Sequence, residues 1–92
     1  MAVTVRIPSA MRSLTNGAGT VEVQAATAGQ ALYALIAAHA DVRGRLYDDE
    51  GKLRRFVNVF VGEEDIRFHE GLETPVPEGG TVSILPAVSG GG

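Results

Sequence analysis

Val3, Val5 and Ile7 alternate with Ala2, Thr4 and Arg6, the alternation of a half-buried strand, and Pro8 closes it. Thr15-Asn16-Gly17-Ala18-Gly19 is turn chemistry. Thr20 to Ala25 then forms a second strand with Val21 and Val23 on one face, so the first two strands read as a hairpin. Thr27 followed three residues later by Gln30 fits a capping box. Ala28, Leu32, Leu35, Ile36 and His39 fall on one helical stripe, which predicts a single main helix over about Thr27–Ala40, stopping before Gly44. Arg43 to Arg55 is polar and mixed in charge, with a turn at Asp48-Asp49-Glu50-Gly51. Phe56 to Val61 is the clearest strand. A turn at Gly62-Glu63-Glu64 leads to a short extended piece, Asp65 to Phe68, and Gly71 to Gly80 is a Pro- and Gly-rich connection. Thr81 to Leu85 reads as apolar on both faces, the pattern of a central strand.

The order β-β-α-β-(β)-β, with a terminal central strand, predicts an α+β layer pair, and the β-grasp fold satisfies it: a mixed four- to five-stranded sheet under one main helix. The expected core is Val3, Val5, Val21, Leu32, Leu35, Ile36, Val57, Val59, Val82 and Ile84. The chain has 92 residues, which is one domain, expected over residues 1–87, followed by a glycine-rich tail over 88–92.

Composition removes several functions. Without cysteine there is no disulfide, no thiolate metal site and no thiol nucleophile. Eight basic against eleven acidic residues give a net charge of −3, and the basic excess and aromatic platforms of a nucleic-acid domain are missing. No apolar run approaches the ~20 residues of a membrane span. The N-terminal stretch lacks the basic-then-apolar layout of a signal peptide, so a cytoplasmic chain, monomeric when free, is expected.

Conventional catalytic constellations are equally scarce. Gly17-Ala18-Gly19 is followed by Glu22 where a third glycine would be needed, and it precedes a strand instead of opening a helix. His39 and His69 are the only histidines and lack ligand spacing, so no metal is expected. The serines sit in no nucleophile elbow. The acidic runs Asp48-Asp49-Glu50 and Glu63-Glu64-Asp65 read as solvated turns, or as contacts for a basic partner. More telling is the strand from Phe56. If Val57, Val59 and Val61 face the helix, then Phe56, Asn58 and Phe60 face away, and Leu85 shares that outer face. One helix covers only one side of a sheet, so Phe60, Leu85 and Phe56 form a candidate docking face. The alternative is that the Arg43–Arg55 segment covers Phe56 or Phe60.

After the last strand come Val88-Ser89-Gly90-Gly91-Gly92. Such a tail can thread a channel too narrow for other residues and present an α-carboxylate to an electrophile. Six residues from Ala87 to Gly92 reach at most roughly 20 Å. Ordering Ser89 to Gly92 costs roughly 4–8 kcal/mol, and glycine buries almost nothing in return. The globular face therefore has to supply most of any binding energy.

Over its whole length the chain resembles the ubiquitin-like sulfur carriers of the MoaD/ThiS family, most of all the actinobacterial carriers that serve cysteine biosynthesis. The resemblance is carried by Gly51-Lys52-Leu53-Arg54-Arg55-Phe56-Val57-Asn58-Val59-Phe60-Val61, by Glu64-Asp65-Ile66-Arg67-Phe68, and by Val82-Ser83-Ile84-Leu85-Pro86-Ala87-Val88-Ser89-Gly90-Gly91. It implies a protein co-substrate with no catalytic residues and no bound cofactor. A ubiquitin-activating-like adenylyltransferase uses ATP-Mg to join AMP to the C-terminal carboxylate, and sulfur then displaces AMP to give a thiocarboxylate. A sulfur-acceptor biosynthetic enzyme consumes it, making cysteine or a thiolated metabolite. Val88, Ser89, Gly90 and Gly91 would thread the partner's site. The family ends at a diglycine, so the activated residue is Gly92, or Gly91 if Gly92 is trimmed. The small subunit of molybdopterin synthase and a ubiquitin-like protein modifier remain as alternatives.

Overall fold

A computed structural model describes residues 1–86. Five strands form one sheet: β1 (Ala2–Arg6), β2 (Thr20–Gln24), β3 (Val57–Val61), β4 (Glu64–Asp65) and β5 (Thr81–Pro86), in the order β2-β1-β5-β3-β4. β1 pairs antiparallel with β2 and parallel with β5, while β3 runs antiparallel to both β5 and β4. The last strand is thus the middle one, and the sheet is mixed. Helix α1 (Ala28–Ala38) crosses one face. This is the β-grasp, ubiquitin-like architecture that the element order predicts.

The alternation of β1 has the expected effect: Val3, Val5 and Ile7 are buried with Val57, Val59, Val82 and Ile84 against Leu32 and Leu35 of α1. Val21 and Ile36 are only partly buried and pack on the margin of the core. Val21 lies on the edge strand β2, which has a neighbouring strand on one side only, and Ile36 turns toward a surface hollow shared with Tyr33, Tyr47 and Leu72. β5 is not apolar on both faces. Val82 and Ile84 are buried, whereas Thr81, Ser83 and Leu85 lie on the outer face. The core also includes Met11, Ala31, Val42, Leu46, Ile66 and Val76, which lie outside regular strands or the expected stripe.

The capping signal at Thr27 is half realised. Its hydroxyl accepts the Gln30 N–H at 3.1 Å, but the Gln30 side-chain oxygen accepts from Ala26, at 2.8 Å, one residue before the cap. The Ala28 N–H donates to the Thr74 carbonyl and the Val76 N–H to the Ala26 carbonyl, which ties the helix start to the 74–76 segment. A Cβ at Gly29 would lie 3.0 Å from the Leu72 carbonyl oxygen, so this glycine allows the 71–73 turn to lie against the helix.

The helix ends at Ala38, two residues early, because His39 leaves helical geometry as its cap. A 3₁₀ turn (Ala40–Val42) and a one-turn helix α2 (Arg43–Leu46) follow, and Gly44 lies inside α2 instead of beyond a helix end. Val42 and Leu46, four positions apart amid charged residues, both point into the core. The hairpin connection likewise contains an unexpected seven-residue 3₁₀ stretch, Ser9–Thr15, which buries Met11 and Thr15. The Thr15 hydroxyl is satisfied by the Ala18 carbonyl at 2.9 Å, with that of Arg12 at 3.2 Å. The extended piece expected over Asp65–Phe68 is extended only at Glu64–Asp65 and then coils into a 3₁₀ turn, Ile66–Phe68. The expected boundary after Ala87, and the tail beyond it, lie outside the described residues.

Candidate functional site

The outer sheet face follows from register. Thr20, Arg6, Ser83, Phe60 and Asp65 are successive cross-strand partners and form one row across all five strands. Asn58 and Leu85 pair in the next row toward the end of β5. Phe60 and Leu85 are therefore diagonal neighbours on the face away from α1, close enough for a large side chain to touch both. Leu85 is 48% exposed, while Phe60 is half-buried at the mouth of a hollow lined by Glu63, Glu64, Asp65, Phe68 and His69.

Phe56 is placed differently. It lies in the turn before β3, not in the strand, and lines a small hollow with Ala10, Met11, Arg45, Val57, Ile84 and Pro86. Its ring is 55% exposed, with the Arg54 guanidinium 5.9 Å above its centroid. The Arg43–Arg55 segment thus partly shields Phe56 and leaves Phe60 clear. Sequence reasoning passed over Phe68, which is 84% exposed beside Phe60. An extended 65–68 segment would have put Ile66 and Phe68 on one face; the 3₁₀ turn buries the first and exposes the second.

The start of β3 is clamped from an unexpected direction. Arg67 sends one guanidinium nitrogen to the carbonyl oxygens of Arg55 at 2.8 Å and Val57 at 3.0 Å. This fixes the turn opposite the end of β5, where Val57 pairs with Pro86. On the other side of β5 a groove is lined by Arg6, Pro8, Ser9, Arg12, Leu85 and Pro86. The chain leaves the sheet at Pro86 between these two walls.

The acidic turns separate by environment. The Asp48 carboxylate accepts backbone N–H bonds from Lys52 at 3.0 Å and Glu50 at 2.9 Å. The Lys52 N–H, foremost, holds its pKa below the ordinary aspartate value, helped by Glu50 and by the charges of Arg54 and Lys52. The carboxylate therefore stays ionised, and keeps the turn's hydrogen bonds, until pH falls below the usual aspartate range. Burial pushes the neighbouring Tyr47 hydroxyl up. Glu64 meets His69 at 2.8 Å, and His39 caps α1. Among the described residues no group of three or more His, Cys, Asp or Glu side chains could hold a metal ion. No described helix is long and apolar enough to cross a membrane. The tail residues Val88, Ser89, Gly90, Gly91 and Gly92 lie outside the described residues.

Comparison with known proteins agrees with this architecture. The family model described as the ThiS family matches residues 5–91. The sulfur carrier protein CysO of Mycobacterium tuberculosis is 44% identical over 93 residues, covering 99% of this chain and 100% of that protein. Among solved structures, a chain of the Amycolatopsis orientalis BexX/CysO complex superposes with a TM-score of 0.87 at 45% identity, over 95% of this chain and 97% of that one. SAMP1 from Haloferax volcanii gives 0.84 at 27% identity, over 97% and 98% of the two chains. With the family model spanning nearly the whole sequence on a shared β-grasp scaffold, the chain belongs to the ThiS family.

Proposed function

We propose that this chain is a sulfur carrier whose C-terminal glycine is cycled between carboxylate and thiocarboxylate. The observation that carries the reading is identity of 44% with the CysO sulfur carrier across essentially the full length of both proteins. The terminal carboxylate attacks the α-phosphate of ATP-Mg on an activating enzyme, and pyrophosphate leaves. Sulfide then attacks the acyl-adenylate carbonyl, AMP leaves, and the resulting thiocarboxylate is handed to a biosynthetic acceptor. The destination in this reading is cysteine or a thiolated metabolite. In this scheme the domain supplies recognition and the tail supplies the reacting atom.

The test is direct. Incubation with ATP-Mg, a ubiquitin-activating-like adenylyltransferase and a sulfide source should replace one terminal carboxylate oxygen by sulfur, seen by intact-mass spectrometry and placed on the last glycine by fragmentation. Absence of the exchange overturns the carrier reading. Isopeptide conjugates to lysine side chains would favour a protein modifier, a role in keeping with the likeness to SAMP1, named a small archaeal modifier protein. A stable equimolar complex with the large subunit of molybdopterin synthase would favour the small-subunit alternative.

The outer face gives a second expectation. Phe60, at the margin of the sheet next to Leu85 and Phe68, is the aromatic anchor of the docked complex. Phe60→Ala should weaken binding to the activating enzyme by about 2 kcal/mol, the scale of an interface anchor, with the fold retained. Titration calorimetry beside circular dichroism separates the two effects. Unchanged affinity in a folded variant would remove Phe60 from the interface.

A further inference from the structure

The net charge of −3 conceals a segregation of charge along the strands. Arg6, Arg12, Arg45, Arg54, Arg55 and Arg67 all converge on the end of the sheet where β5 finishes. Arg6 pairs across to Ser83, and Arg12 lines the groove beside Leu85 and Pro86. Arg45 borders the hollow of Phe56 and Pro86, Arg54 lies over the Phe56 ring, and Arg67 reaches the carbonyls of Arg55 and Val57. At the opposite end lie Glu63 and Glu64, which follow β3, and Glu78, which lies within 3.4 Å of the Ala2 N–H, while Asp65 stands in the same cross-strand row as Arg6.

The arginines are held but not neutralised. Arg12, Arg54 and Arg67 donate to backbone carbonyls of Ile7, Gly44, Arg55 and Val57, which fixes their heads and leaves their charge uncancelled. The ion pairs among the described residues are Lys52–Glu50 and His69–Glu64, and neither includes an arginine. The carboxylates beside them are Asp48, whose titration feels Arg54, Asp65, which accepts the Arg67 backbone N–H at 2.9 Å, and Glu22, diagonal to Arg6 on the outer face. A surface shaped by solubility alone would mix its charges.

Resting on the carrier reading above, we infer that this arginine collar is an electrostatic docking surface for an acidic protein rim around the mouth of the activating enzyme's tail-accepting channel. The collar surrounds the point where the chain leaves the sheet, so it meets whatever borders the channel that receives the tail. The acidic opposite end turns the molecule in the rim's field, which presents the end of β5 foremost. A long polyanion would meet both ends and be repelled by one, whereas a protein rim meets one end only.

Arg6 and Arg55 are exposed, and their side chains make no described hydrogen bond, so charge reversal there spares the fold. With an enzyme that thiocarboxylates the wild type, Arg6→Glu/Arg55→Glu should lower kcat/KM about tenfold or more at low ionic strength, with kcat unchanged. The deficit should shrink as salt screens the field. Glu73→Gln, away from both the collar and the Phe60 hollow, should not lower it. If the reversal unfolds the chain, Arg6→Gln/Arg55→Gln replaces it, with a smaller loss in the same direction. Equal kcat/KM for wild type and variant at every salt concentration overturns the collar while leaving the carrier reading intact; no thiocarboxylate on the wild type overturns both. Binding to oligodeoxythymidylate that needs the same arginines, with kcat/KM indifferent to them, assigns the patch to nucleic acid and also overturns it.

Discussion

Deleting Gly90–Gly92 is expected to abolish thiocarboxylate formation and to leave the thermal midpoint of the domain nearly unchanged. The proposed chemistry resides wholly in the terminal carboxylate and in glycine's ability to thread a narrow channel. Any other residue at these last three positions would bring a Cβ into the narrowest part of such a channel. Stability has a different source: the buried cluster is assembled from residues between Val3 and Ile84, ahead of the deleted segment. Activity and melting are therefore decoupled, and intact-mass spectrometry with calorimetry on one sample measures both. Removing Gly92 alone decides which glycine reacts. The ThiS match ends at Gly91, so retained or improved exchange would identify Gly91 as the working terminus, and loss of exchange would show that the longer tail is needed. A large drop in melting temperature on deleting 90–92 would contradict the separation of tail from domain.

Leu35→Ala is the complementary experiment, costing stability without touching the tail. Leu35 is fully buried beneath the sheet, between Ala31 and Leu32 on its own helix and the valines of β1, β3 and β5. Truncation there should cost about 2–5 kcal/mol, because the removed methyls leave a cavity that a helix tied at its start to the 74–76 segment fills poorly. In a domain of this size each kcal/mol moves the midpoint by about 4–8 °C. Ile36, one residue on, serves as the control. It is half-buried at the margin of a surface hollow, water can occupy the space its side chain leaves, and Ile36→Ala should cost clearly less. Denaturant titration of both variants checks the order, and equal losses would mean that the helix presents a different face to the sheet.

How far the sequence foretells this depends on where regularity carries the signal. β1, β3 and β5 are legible because Val3/Val5, Val57/Val59 and Val82/Ile84 alternate cleanly, and the main helix because its leucines recur at helical spacing after a cap. The missed elements are short. The 3₁₀ stretch at Ser9–Thr15 and the 3₁₀ turn and helix α2 over 40–46 each bury only two residues, Met11 and Thr15 in one and Val42 and Leu46 in the other. Two buried positions do not establish a period, and charged neighbours hide them. The Asp65–Phe68 error has the same origin, since Ile66 and Phe68 two apart mimic a strand while the Asp65 side chain, accepting the Arg67 N–H at 2.9 Å, nucleates a turn. In the candidate site, the pairing of Phe60 with the β5 face followed from strand parity. Phe56 lost that parity because the strand begins one residue later, at Val57. The arginine collar was hidden for another reason: its members are spread from Arg6 to Arg67 and meet only through sheet topology.

That topology also orders events during synthesis. The strand that bridges the two halves of the sheet is the last to leave the ribosome, and its parallel partner β1 is among the first. Until Thr81–Pro86 emerges, the β1–β2 hairpin and the β3–β4 pair have no strand between them, and loop closure spanning almost the entire chain must still be completed. A nascent chain that stalls earlier lacks the centre of its sheet and stays open to proteolysis. Closure of the sheet is thus a late event, because the core can become compact only once Thr81–Pro86 has emerged to join the two halves.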